Sequence, residues 1–406
     1  MTDSKPALLY ICHRVPFPPN KGDKIRTFNE IKFLSKNWNI DLVSFADTPG
    51  DLKYGSDLEK LCRNVFLFSI CPFWAKIKGI QSFLTGKSIT EGYFFDITAD
   101  RRIFALLKEK TYHAIFCFSS SMAAYIFKNL PTIKKKRPVP RLVMDFCDVD
   151  SDKWKQYSEK AGFPMAMIYK TEFKRLLAYE KKVNQEFDIS VFVSENESLL
   201  FKSLMPSAKN VVSVSNGVDF DYFSGLNNKS QTVTPPTLMF AGAMDYYANI
   251  EGVIWFCTHI LPKIKEKFPD ICFTIVGSNP SPEVRMLSKI DNVQVTGYVE
   301  DIREYYEKAD ICVIPLCIAR GIQNKVLEAM AMEKPVVCTS AAFSGINAEP
   351  GKHLLIEDRE DAFAEAVMIL LSNRERARTL GRVARTMMKS EYAWDTCLKK
   401  LDEILR

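Results

Sequence analysis

No stretch of this chain is long and apolar enough to cross a bilayer. The longest nearly apolar run, Val65 to Ala75, has about eleven residues, where a spanning helix needs roughly 20. The start, Met1-Thr-Asp-Ser-Lys5-Pro6, lacks the charged, apolar, small-residue order of a signal peptide, so none is expected. No two of the 11 cysteines stand in a C-x-x-C pair, and histidines number only 4. A disulfide or zinc framework is therefore not expected; buried thiols in a reducing cytoplasm are. Neither G-x-G-x-x-G nor G-x-x-x-x-G-K-[ST] occurs, which removes the dinucleotide fingerprint and the P-loop. No Ser-His-Asp or Cys-His set is recognisable, and His113, His259 and His353 sit alone and read as structural.

What remains is an ordinary globular composition, with 47% hydrophobic and 26% charged residues in a chain of 406. That length predicts two domains. The net charge of +6 is unevenly spread. Residues 1–217 carry 33 Lys and Arg against 23 Asp and Glu, a balance of +10; residues 218–406 carry 22 against 26, a balance of −4. A basic first half is expected to meet something anionic. Nucleic acid is not the expected partner, because the basic charge is dispersed and lacks interleaved aromatics.

Short runs rich in Val, Ile and Phe alternate with helical patterns along the whole chain. Thirteen strands are expected, beginning with Ala7–His13 and ending with Leu354–Ile356. They lack strict alternation, as strands buried on both faces do. Strand-helix-strand repetition implies parallel sheets with right-handed crossovers. The pattern restarts near residue 236, after an Asn, Ser, Thr and Pro-rich stretch from Ser224, which reads as a linker. The expected architecture is α/β, with two doubly wound Rossmann-like domains facing a cleft: residues 1–217, residues 218–388, and a C-terminal helix, 389–406, crossing back to the first domain. Ligands bind outside the carboxyl ends of such strands.

Four segments could carry chemistry. In Pro315–Met332 a strand ends, Gly321 sits in a loop, and a helix begins near Asn324. Its free N–H groups make an anion site to which Lys325 adds a charge, while Glu328, one turn on, suits sugar hydroxyls. Phosphate donors beside a hydroxyl acceptor describe a nucleotide-sugar pocket; an amphipathic helix with an i, i+3 ion pair is the other reading. After the first strand, His13-Arg14-Val-Pro16…Asn20-Lys21-Gly22-Asp23-Lys24-Ile-Arg26 forms a Pro-stiffened basic loop. Gly22 permits a close approach at the helix start. After the fifth strand, Asp145-Phe-Cys-Asp148-Val-Asp150-Ser-Asp152 crowds four acids. An EF-hand is not expected, because Lys153 stands where the loop requires Gly. Acceptor hydroxyls, with Asp145 nearest the strand end, and a helix N-cap with first-turn acids both remain open. Finally Phe73, Ile77, Ile80 and Leu84 make one helical face beside Trp74, Lys76, Lys78 and Lys87. That face suits either an anionic membrane surface or packing against the protein's own sheet.

In their order and spacing, these segments resemble the GT-B-fold glycosyltransferases of family 4, the retaining nucleotide-sugar transferases. Within that family the chain is similar to the bacterial sugar transferases associated with PEP-CTERM/exosortase systems. The resemblance spans the chain and also includes Val193-Ser194-Glu195, Asn216-Gly217-Val-Asp219 and Gly242-Ala-Met244-Asp245. It implies that Glu328 binds the donor ribose and that Gly321, Ile322, Gln323 and Asn324 hold the donor phosphate and sugar. It implies that Gly297-Tyr298-Val299 frames the nucleobase, and it puts Gly22, Gly242 and Gly277 on the donor side. His13, Arg14, Asn20, Lys21, Lys24, Asp148 and Asp150 fall on the acceptor side. Three departures stand out. Arg320 occupies the position of a usual Glu; the usual Arg and Lys are absent from Gly242–Asn249; and Ser119-Ser120-Ser121 and Asp145 sit where many relatives have a His.

The expected activity is therefore a cytoplasmic, metal-independent, retaining glycosyltransferase, peripheral on the inner membrane face. It needs no cofactor and moves a sugar from a nucleoside-diphosphate donor to a lipid-linked or polysaccharide acceptor. Asp145, Arg320, Lys325 and Glu328 are its expected catalytic set. A nucleotide-sugar epimerase and a non-catalytic nucleotide-sugar-binding protein are the alternatives.

Overall fold

The computed structural model describes residues 5–225, 235–319 and 321–406; part of the expected linker, and Arg320, lie outside the described residues. The chain divides into two compact units. One runs to Ser215 and takes in Leu398–Arg406; the other is Asn216–Cys397.

The first unit holds one parallel sheet of β1 (Ala7–Cys12), β2 (Asn39–Ala46), β3 (Asn64–Ser69), β4 (Ala114–Phe118), β5 (Arg141–Cys147), β6 (Ile189–Phe192) and β7 (Val211–Ser213). Their order is β3-β2-β1-β4-β5-β6-β7. The second holds β8 (Thr237–Ala241), β9 (Cys272–Val276), β10 (Val293–Val295), β11 (Ile311–Ile314), β12 (Val336–Cys338) and β13 (Leu355–Ile356). These are parallel too, in the order β10-β9-β8-β11-β12-β13. Both sheets are doubly wound α/β, as expected. Central strands such as Leu8–Cys12 and Ala114–Phe118 are buried throughout, because helices cover both faces and leave no side that selects polar residues.

The helices that position functional groups are labelled in chain order: α1 (Gly22–Leu34), α2 (Pro72–Leu84), α3 (Ile89–Tyr93), α4 (Asp150–Lys160), α5 (Met165–Glu186), α6 (Tyr247–Trp255), α7 (Asn324–Ala331), α8 (Arg374–Glu391) and α9 (Lys399–Leu405). In α1, Asp23 lies in the first turn and Lys32 in the last, each at the end of the macrodipole that favours its charge. The return of the chain to the first unit begins at Leu398, later than residue 389. Residues near Trp394 stay with the second unit because Trp394 packs on Gly217, where even a Cβ would come within 2.7 Å of its backbone. Beyond them α9 docks on the first unit, where the Trp38 indole donates to Asp402 at 2.6 Å and Arg141 donates to the Ile404 carbonyl at 3.0 Å.

Candidate active site

In each sheet the strand order reverses between two central neighbours, β1 and β4 in the first and β8 and β11 in the second. The carboxyl ends of those strands are where an open α/β sheet receives a ligand.

In the second unit, three glycines follow β8, β9 and β10 in sheet order: Gly242, Gly277 and Gly297. A Cβ on Gly277 would lie 1.7 Å from the Gly242 carbonyl oxygen, so no side chain fits between these strand ends. Gly297 adopts φ +72 and has open space around its Cβ position. Tyr298, next along, is 72% exposed, and Val299 is half-buried. On the other side of the switch point, Gly321 turns with φ +61, Ile322 is buried, and α7 begins at Asn324. No side chain caps α7 at Gln323, so its first N–H groups are not claimed from that position. Asn216 donates to the Asn324 side-chain oxygen at 3.0 Å.

Lys325 does not pair with Glu328 as the amphipathic-helix reading would have it. Its Nζ donates to Asn249 Oδ1 of α6 at 2.5 Å and lies 4.6 Å from the centre of the Phe240 ring. Asn249 in turn donates to the Ala243 carbonyl at 2.8 Å. Gly242 makes room for this arrangement, since a Cβ there would sit 2.7 Å from Asn249 Nδ2 and 3.0 Å from Lys325 Nζ. Burial of the ammonium pushes Lys325 down to about 7, with Glu328 opposing the shift. Burial also raises Glu328, against the Tyr306 hydroxyl, which donates to it at 3.2 Å, and against Lys325.

In the first unit the expected residues divide into anchors and exposed groups. Asp145 is completely buried. It accepts from Arg26 Nε at 3.0 Å and Nη2 at 2.6 Å, and from the Cys147 N–H at 2.7 Å. Arg26 also pairs with Glu30 at 2.9 Å and donates to the Val214 carbonyl at 2.9 Å. This network fixes α1 to β5 and β7. Asp145, expected nearest the acceptor, is thus placed as a structural anchor: one oxygen meets the buried Arg26 guanidinium and the other the Cys147 N–H. Lys24 is likewise buried and paired with Asp51 at 3.3 Å. Arg14 lies 2.7 Å from both Asp23 and Asp47. Both residues were expected to contact the acceptor; both are already matched by carboxylates. Asn20, Lys21 and Gly22 are exposed at the start of α1.

His13 follows β1, stacks on Phe118 at 5.8 Å and reaches Asp23 with Nε2 at 3.2 Å. Burial tends to raise the Asp23 carboxyl, but His13 and Arg14 hold it well below the usual range. Next to it the backbone is strained. Ser119 after β4 has φ +76, and Cys147 at the end of β5 has φ +61, conformations that cost about 1–3 kcal/mol for residues other than glycine. The β5 register shifts between Asp145 and Cys147, so Asp145 turns inward and the following loop swings out. That loop is held from behind. Glu197 accepts from the Val149 N–H at 2.8 Å, and Glu180 accepts from the Ser151 N–H at 3.0 Å and its hydroxyl at 2.5 Å. Asp148 keeps one buried oxygen without a hydrogen-bond partner. Burial, then Glu197 and Asp150, push it up to about 7. Asp150 is raised as well, mainly by burial.

Arg26, Glu180, Glu197 and Asn249 are the residues that sequence reasoning missed as positioning groups. Among the described residues, no group of three or more His, Cys, Asp or Glu is arranged to hold a metal ion.

Residues 235–373 match the family model described as glycosyl transferases group 1. The chain is a glycosyltransferase of GT-B fold. It is 22% identical, over 93% of its length and 94% of the relative's, to an uncharacterized 44.6 kDa protein in the cps region of Klebsiella pneumoniae. It is 26% identical to a GDP-mannose-dependent alpha-(1-6)-phosphatidylinositol monomannoside mannosyltransferase of Mycobacterium tuberculosis, over 56% of this chain and 63% of that one. Among solved structures it is similar to Anabaena HepE in complex with UDP, with a TM-score of 0.70 at 13% identity, covering 98% of this chain and 99% of the other. The family model falls within the unit that holds Lys325 and Glu328.

Proposed function

We propose that this glycosyltransferase is retaining and metal-independent, and that it moves a sugar from a nucleoside-diphosphate donor to a lipid-linked or polysaccharide acceptor in envelope glycan synthesis. The observation that carries the reading is the grouping of Lys325, Glu328 and three strand-end glycines at the switch point of the second sheet. Gly277 and Gly242 let the strand ends and Lys325 pack closely, and Gly297 leaves open space beside Tyr298. Lys325 and the N-terminus of α7 supply positive charge for a diphosphate. Arg320, adjacent in sequence to Gly321, is proposed as the second cation. Glu328, steadied by Tyr306, accepts from ribose hydroxyls, and the exposed Tyr298 offers a ring to the base.

During transfer the bond from the sugar's anomeric carbon to the diphosphate breaks, and a bond to an acceptor oxygen forms. The departing oxygen gains negative charge, which Lys325 and the α7 N–H groups answer best as it develops. On the first unit Asp148, held near neutral pH, is suited to receive the proton that the acceptor hydroxyl gives up. Asp150 and His13 are its proposed neighbours in acceptor binding. The relatives support the biological setting: one is encoded in a cps region, one acts on a phosphatidylinositol mannoside, and one binds UDP. A PEP-CTERM/exosortase setting and a cytoplasmic location are part of the same proposal.

The test is transfer from radiolabelled nucleoside-diphosphate sugars to a polyprenyl-phosphate-linked acceptor, with and without EDTA. The anomeric configuration of the product is read by NMR and donor affinity by calorimetry. Transfer with retained configuration is expected, unaffected by chelator. Glu328→Gln should weaken donor binding by about 1.5–3 kcal/mol, the worth of a charged hydrogen bond, at unchanged melting temperature. An inverted product, or an unchanged Kd in Glu328→Gln, would contradict the proposal.

A further inference from the structure

Helix α2 is built inside out. Its buried residues are the small ones, Ala75, Gly79 and Ser82. Its large apolar residues face solvent: Phe73 is 65% exposed, Trp74 59%, Ile80 59% and Leu84 80%. Spacings of three and four residues put Phe73, Ile77, Ile80 and Leu84 in one stripe along a helix of 13 residues, roughly 20 Å long. The small face is required for the packing beneath. A Cβ on Gly79 would come 2.9 Å from Ile89, and one on Gly92 would come 2.6 Å from the Lys78 carbonyl oxygen and from the Ser82 Cβ. Helix α3 therefore fixes α2 in an orientation that leaves the apolar stripe outward. Beneath its first turns lies a pocket of about 230 Å³ walled by Ile70, Trp74, Lys78, Tyr93, Phe95 and Asp96, where Lys78 donates to the Phe95 carbonyl at 2.9 Å.

The charges that the helix and the turn after it carry have one sign. Residues 72–90 contain Lys76, Lys78 and Lys87 and no acid. The nearby Glu172 of α5 is buried and accepts from the Ser88 hydroxyl and the Ile89 N–H, each at 2.9 Å. Arg175 of α5 donates to the Phe83 and Lys87 carbonyls at the end of α2. A contiguous exposed apolar stripe marks a contact surface. Protein interfaces are depleted in Lys, whereas a Lys-rimmed stripe with an aromatic residue suits the headgroup region of an anionic bilayer.

We infer that α2 docks this protein on an anionic lipid surface, lying in the interface plane with Phe73, Ile77, Ile80 and Leu84 inserted and the lysines against headgroups. The contact deepens the reading of a lipid-linked acceptor but does not depend on it, because it needs neither donor nor transfer.

The test is co-sedimentation of the full chain, without donor, with phosphatidylcholine vesicles and with vesicles carrying a quarter phosphatidylglycerol. Binding should be at least ten-fold stronger to the anionic vesicles. Ile80→Ser with Leu84→Ser should lower that binding at least ten-fold at an unchanged melting temperature, since both side chains are exposed. Lys76→Glu with Lys87→Glu should abolish the preference for anionic lipid. The inference is overturned if the parent fails to bind anionic vesicles, or if the Ile80/Leu84 variant binds as well as the parent. It is also overturned if sedimentation velocity shows the parent as a dimer that this variant dissociates, which would make the stripe a protein interface.

Discussion

At the carboxyl ends of β1 and β4, Arg14 is held between Asp23 and Asp47, and His13 leans on Asp23. At the ends of β8 and β11, Lys325 faces a neutral amide oxygen. The first arrangement matches each cation with a carboxylate and leaves over the acids Asp148 and Asp150. The second leaves a cation half-desolvated between an amide, an aromatic ring and Gly242, with no carboxylate among the described residues in salt-bridge range. A site whose cations are already paired has little attraction for a diphosphate, but its unmatched carboxylates suit neutral hydroxyls. A cation short of a counter-charge gains most when an anion arrives. The two sheets share one topology, so the division of labour lies in what stands at their strand ends.

The strongest challenge to this comparison is at Asp145. Asp145→Ala leaves Arg26 charged and buried with only Glu30 beside it. Removing one partner of a buried pair costs about 3–5 kcal/mol, so urea unfolding should show a loss of that size. If the variant keeps its stability and loses only transfer, Asp145 returns to the catalytic set and the first unit is more than an acceptor platform.

This is also where the sequence was hardest to read. The thirteen strands were legible because buried parallel strands write themselves as apolar runs. The starts of the helices at Gly22 and Asn324 are legible from the loop residues before them, not from an apolar period. Helix Ala123–Lys134 was not read at all; Pro131 lies inside it. The glycines after β8 and β9 and the pairing of Lys325 with the α7 N-terminus follow local patterns and were within reach. The role of Asp145 was not, because its partner Arg26 is 119 residues away and meets it only through the strand order. The direction of α2 was hidden for a similar reason. Its apolar face is plain in the sequence, but its outward turn depends on Gly79 fitting against Ile89 and Gly92 against Lys78 and Ser82.

A smaller effect sharpens the contrast from the other side. Gly242→Ala places a methyl against Asn249 Nδ2 and Lys325 Nζ, both ends of side chains. The backbone can stay in place while the lysine is displaced. Donor affinity should fall by about 1–2 kcal/mol, the range of a charged hydrogen bond or less, with the melting temperature nearly unchanged. A large stability loss with intact donor binding would mean that Gly242 serves packing and not the ligand.

The finest test is the pH dependence of donor binding, because it isolates the half-desolvated Lys325. Lys325 titrates near 7 in the free protein. A bound diphosphate favours the ammonium and raises that value, so binding takes up a proton above pH 7. Below pH 7 the lysine is already charged and affinity should be level. Above it, each pH unit should weaken binding by up to ten-fold, about 1.4 kcal/mol, until the pKa of the bound form is passed. Fold stability should move the opposite way. The unfolded chain holds this lysine's proton up to about 10.4, so between pH 7 and that value the unfolded state binds more protons, and this group's contribution to stability rises with pH. Weaker donor binding in a firmer protein separates a titrating lysine from alkaline unfolding. Lys325→Met should abolish the slope while keeping the residual, pH-independent affinity of the α7 N-terminus and Glu328. A slope that survives in Lys325→Met would assign the proton to another group and remove the contrast between the two strand ends.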